Sequence, residues 1–128
     1  MRRVVVTGIG IVSSIGNNPE EVRSSLHNCT PGITKAVGYE DFGFKSQVYG
    51  CPNIELEQNI DRRKLRFLAD GSAWAYIAAE QAIADSNLEN NEISHEKTGL
   101  IVGTGGPSTK AIIKAADQTR DRGAKHVG

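Results

Sequence analysis

Four basic residues, Arg62, Arg63, Lys64 and Arg66, crowd one short stretch directly after Asp61. The sequence predicts that stretch as the start of one long apolar helix, Asp61 to Asn87. A helix N-terminus carries partial positive charge, so each cation there is disfavoured by roughly 0.3–1 kcal/mol. The same end attracts anions. Cations stacked on it point to an acidic or phosphorylated partner; the alternative is a solvated charged face.

The other reactive side chains give less. Cys29 and Cys51 fit no metal spacing and are too few for a disulfide framework. They read as free thiols of a reducing compartment. A nucleophilic Cys needs a base within hydrogen-bond reach. His27 is two residues from Cys29, yet on a helix end the pair points in different directions. His95 falls in a polar loop and His126 in the tail.

Two glycine-rich stretches invite nucleotide readings. Gly8-Ile9-Gly10 follows an apolar run, but the dinucleotide fingerprint needs Gly or Ala three positions after the second glycine, and Ser13 stands there. The bland reading is a tight turn that needs small residues. Gly103 to Lys110 fails as a phosphate loop because Lys110 follows Thr109 instead of preceding a hydroxyl residue. Its glycines read as permitting close backbone approach.

Positioning these residues requires an α/β frame. Arg3–Thr7, with Val4-Val5-Val6, reads as a strand buried on both faces. Asn18-Pro19-Glu20-Glu21 starts a short helix that ends near Asn28, with Asn as N-cap, Pro first and Glu third. Residues 33–60 are irregular, with a short strand at Ser46–Tyr49. The long helix then spans roughly 40 Å, an alanine ladder flanked by Trp74, Tyr76, Ile77 and Ile83. Gly71 weakens it by about 1 kcal/mol against Ala. Asn87 to Lys97 is loop-like. Gly99–Gly103 reads as a second buried strand, Thr104–Pro107 as a turn, and Ser108 as the cap of a last helix. This order predicts a parallel sheet.

The chain has 128 residues, enough for one domain, with fifteen basic and fifteen acidic side chains. Neutral charge and 5% aromatics argue against a nucleic-acid partner. The basic opening lacks the apolar run of a signal peptide, and the long helix is too interrupted for a membrane span. The expected setting is cytoplasmic, with no membrane partner, no metal and no cofactor.

Together these segments resemble the N-terminal part of the β-ketoacyl-[acyl-carrier-protein] synthase family, closest to its bacterial type I elongating members. The likeness is carried by residues 3–18, by Ile60-Asp61-Arg62-Arg63-Lys64-Leu65-Arg66-Phe67, by Glu80–Asp85 and by Gly99–Gly106. It implies the N-terminal portion of a thiolase-like fold, incomplete, with βαβ units and a mostly parallel sheet. It implies a dimer and decarboxylative condensation by a Cys and two His. Those three residues are expected downstream of Gly128, so residues 1–128 are expected to form a truncated half that is inactive alone. The resemblance assigns Arg62, Arg63, Arg66, Arg122 and Lys125 to docking of the acidic helix of acyl carrier protein. Gly106 matches a position beside the acyl pocket. Pro107 departs from the glycine common there, and Lys64 has no clear counterpart. Self-association through exposed apolar surface is a further expectation. The other function classes are a non-catalytic carrier-binding or dimerisation module and a small nucleotide-binding α/β domain.

Overall fold

Asn18 begins the first helix as its side chain predicts. Its Oδ1 accepts the Glu21 N–H at 2.9 Å, and Glu21 Oε2 accepts the Asn17 N–H at 2.8 Å. With proline at the first position, this anchors α1 (Pro19–His27). The computed structural model describes residues 3–127. After α1 come β1 (Ile33–Lys35), β2 (Val48–Gly50), α2 (Leu56–Asn59), α3 (Arg62–Leu65), α4 (Asp70–Ser86), α5 (Asn90–Ile93), α6 (Thr109–Arg122) and a 3-10 turn, Ala124–His126.

The described residues do not themselves form the expected parallel sheet. Among the described residues, β1 and β2 make one two-stranded antiparallel sheet, with Ile33 opposite Gly50 and Lys35 opposite Val48. The predicted strands Arg3–Thr7 and Gly99–Gly103 have no ladder partner. Val4 is 90% exposed and Ile101 98%. A strand needs a neighbour to satisfy its backbone groups, and among the described residues no strand pairs with either run.

The predicted Asp61–Asn87 helix is also corrected. It is broken into α3 and α4 by residues 66–69. Phe67 and Leu68 close tight turns onto the carbonyls of Lys64 and Leu65, at 3.0 Å each. Ala69 then adopts extended backbone, ψ 162°, and α4 starts afresh at Asp70. The weak helix formers Asp70 and Gly71 sit at the break, and neither favours continuing the turn. At the other end Asn87 closes α4 in the left-handed region, φ 56°.

The core is small. Ile60, Ala73 and Ile77 are buried together, with Val12, Ile54, Leu56, Leu65, Leu68 and Tyr76 packed partly against them. The alanines of α4 have a specific use. Loop residues 8–11 lie on them, close enough that a Cβ on Gly8 would collide with the Ala82 carbonyl and one on Gly10 with the Ala78 carbonyl. Two side chains one helical turn apart fasten the loop. Asp85 Oδ2 accepts the Ile9 N–H at 2.9 Å, and Gln81 Oε1 accepts the Ile11 N–H at 3.0 Å. Gln81 Nε2 also donates to the Asn17 carbonyl at 2.6 Å.

Candidate functional site

The basic cluster occupies a single turn. Asp61 caps α3, its Oδ1 accepting the Arg63 N–H at 2.8 Å. A four-residue helix has no separate ends, so Arg62, Arg63 and Lys64 are as much in its last turn as in its first. The dipole penalty expected for cations at the head of a long helix therefore does not arise, because the long helix begins nine residues later than predicted, at Asp70. Leu65 points inward as the anchor of this turn, half-buried against the Ile60–Ala73–Ile77 core. Arg62, Arg63, Lys64 and Arg66 are all exposed.

Two contacts to rings fix part of the cluster. Lys64 Nζ donates to the Tyr76 hydroxyl at 2.7 Å and lies 5.1 Å from the ring centroid. That puts the ammonium off the hydroxyl end of the ring, so the interaction is a hydrogen bond more than a cation–π contact. The hydrogen bond raises the Lys64 pKa above 10.5, with added electrostatic support from Tyr76 and smaller contributions from Glu80 and Asp61 against a little desolvation. Arg66 stacks its guanidinium over Phe67, 4.4 Å from the centroid. Lys64, absent from the set of docking residues read in the sequence, is thus the cluster member tied to α4. Its i to i+12 partner could be found only once the break after Leu65 was known.

Arg122 is the last residue of α6, and Lys125 lies in the 3-10 turn beyond Gly123, whose φ of 86° lets the chain reverse. Both are exposed. The turn brings His126, next to Lys125, to a groove that Arg66 also lines. Arg122 instead faces along α6 beside Asp121 and Gln118. Gly106 lies in the turn before α6, where the Thr104 hydroxyl donates to its carbonyl at 2.9 Å. It lines a groove with Ala69, Asp70 and Trp74, and a Cβ on it would meet open space. Across that groove Lys110 pairs with Asp70 at 3.5 Å, tying the start of α6 to the start of α4.

The remaining candidates stay apart. Cys29 and Cys51 are exposed thiols, and no hydrogen bond joins either to a histidine among the described residues. The Nδ1 of His95 accepts the Lys97 N–H at 3.1 Å. The Gly8–Gly10 loop is filled by α4 itself, so the glycines serve helix packing and leave no room there for a pyrophosphate. No helix of the described residues is long and apolar enough to cross a membrane.

The chain belongs to the β-ketoacyl synthase family: its N-terminal domain description matches residues 1–127. That membership implies a thiolase-like fold. More particularly, the chain is 43% identical over 130 residues to 3-oxoacyl-[acyl-carrier-protein] synthase 1 of Escherichia coli, covering 100% of this chain and 32% of that protein. It is 40% identical over 129 residues to the protein of the same name from Haemophilus influenzae, again covering 100% of this chain and 32% of the relative. Against 3-oxoacyl-[acyl-carrier-protein] synthase 2 of Staphylococcus aureus identity is 28% over 127 residues, covering 98% of this chain and 31% of the relative. The chain thus spans about a third of the length of these curated relatives.

Proposed function

We propose that these residues serve a 3-oxoacyl-[acyl-carrier-protein] synthase, a fatty-acyl chain-elongating acyltransferase, as its carrier-docking part. The higher identity to the two synthases numbered 1 than to the one numbered 2 supports an elongating enzyme of the first type. In this reading Arg62, Arg63 and Arg66 receive the acidic helix of acyl carrier protein, and Arg122 and Lys125 add a second basic contact. Gly106 leaves space beside the acyl chain. The observation that carries the reading is the exposed α3 turn, whose cations are held by the Asp61 cap and the Lys64–Tyr76 hydrogen bond. Complementary charge steers encounter and sets register more than it supplies affinity.

Residues 3–7 and 99–103 would take their places in a mostly parallel sheet once neighbouring strands cover them. Their apolar runs support this, as does their lack of a ladder partner among the described residues. The condensation itself is assigned to residues other than these: neither cysteine stands against a base here, and the two thiols are exposed. The chain alone is therefore expected to be silent in a condensation assay with acyl- and malonyl-carrier protein.

The docking test is charge reversal. Surface pairs contribute about 1 kcal/mol or less each, so Arg63→Glu with Arg66→Glu should weaken carrier-protein capture by roughly tenfold or more at low salt. Added salt should erode the difference. Equal capture by the wild type and the double variant would reduce the cluster to a solvated face.

A further inference from the structure

Of the groove between the α3–α4 linker and the end of α6, only Arg66 enters the reading above. It measures about 560 Å³. Phe67, Leu68 and Val127 supply its apolar lining, while Arg66, Lys114 and His126 stand around it. No carboxylate lines it. Among the described residues none of the three basic groups has an anionic partner within salt-bridge distance. Phe67 is 76% exposed, a large ring in water directly beneath the Arg66 guanidinium.

Apolar surface next to convergent positive charge suits an anion that carries a tail. A guanidinium offers two parallel N–H donors to a carboxylate. An alkyl chain laid on Phe67 and Val127 would remove apolar area from water. We propose that this groove binds a free alkyl carboxylate, with Arg66 and Lys114 holding the head group, His126 beside it, and the chain running over Phe67, Leu68 and Val127. The site is separate from the carrier-docking face except for Arg66, which it shares. A carboxylate bound here would neutralise one of the docking cations, so occupancy and carrier capture would oppose each other.

Octanoate is the probe, titrated into the purified protein by calorimetry and followed by amide resonances. Saturable binding with a Kd of about 1 mM is expected, with shifts concentrated at Phe67, Val127 and His126. Octanol and acetate should each bind roughly tenfold more weakly, since each lacks one half of the recognition. Lys114→Gln and His126→Gln lie at exposed positions and should fold normally. Each should weaken octanoate by about threefold to fivefold, while Lys97→Gln, on the α5 loop, should not. The proposal fails if octanoate gives no saturable signal, if the Lys97 variant weakens it equally, or if acetate binds as tightly. It also fails if Lys114→Gln and His126→Gln lower carrier-protein capture without any octanoate binding, which would assign the groove to protein docking. Loss of capture on charge reversal at Arg63 alone, with octanoate binding intact, would separate the two sites.

Discussion

Asp85 Oδ2 accepts the backbone N–H of Ile9 at 2.9 Å, across 76 positions of sequence. One turn earlier on the same helix face, Gln81 does the same for Ile11. The pair explains how an N-terminal loop without a ladder partner is held: alternate N–H groups, which a neighbouring strand would have taken, are taken by two helix side chains. Removing either acceptor should expose one amide. Asp85→Ala and Gln81→Ala are each expected to cost about 1 kcal/mol. They should also speed hydrogen exchange at Ile9 and Ile11 respectively, read by NMR. Unchanged protection at both amides would show that glycine packing alone holds the loop.

Glycine packing can be tested separately. A Cβ on Gly10 would enter the Ala78 carbonyl of α4, a backbone atom with little freedom to move. Gly10→Ala should therefore destabilise by about 2–3 kcal/mol. Gly71→Ala, in the first turn of α4 where a Cβ meets open space, should stabilise by about 0.5–1 kcal/mol. Denaturant midpoints give both values. Matching signs for the two variants would contradict the packing geometry.

The Lys64–Tyr76 hydrogen bond gives a pH signature. Its folded-state pKa lies above the ordinary 10.5. The charged form is thus favoured by folding. The stabilisation is fully present below the unfolded value and is lost as pH rises through the folded one, so nothing changes near neutrality. The Lys64 side-chain resonances should titrate above the ordinary lysine value. In Tyr76→Phe they should move back toward it. An unshifted titration in the wild type would remove the contact.

The exposed area predicts association. The chain presents 11014 Å², where a folded monomer of its 13.8 kDa would present about 6,600 Å². Among the described residues, twenty large apolar side chains are exposed and only four apolar residues are buried. Surface of that kind is ordinarily covered by a partner. Sedimentation should show mass rising with concentration, and a hydrophobic dye should bind the dilute protein strongly. A concentration-independent monomer that leaves the dye dark would mean the apolar runs close on themselves.

Local chemistry was legible at several helix ends, but not at β1, α2 or α5, which form within stretches that read as irregular or loop-like. Asn18 with Pro19, Ser108 before α6, and Asn87 after α4 mark helix ends through their own side chains or backbone preference, and each was read correctly. The alanine ladder announced a helix that others approach closely, as the Gly8–Gly10 loop does. The family could be read from the same segments. The sheet was less legible, because a strand is defined by its neighbour, and among the described residues neither 3–7 nor 99–103 has a ladder partner. The break at residues 66–69 was missed because no proline marks it; Asp70 and Gly71 only weaken the turn. Sequence alone thus determined the ends that carry their own capping residues, the composition of the faces and kinship. Tertiary structure decided that the basic residues ride on a one-turn helix of their own, and that Asp85 and Gln81 reach Ile9 and Ile11. Both are contacts between distant positions, and no propensity along the chain encodes which distant group a side chain will meet.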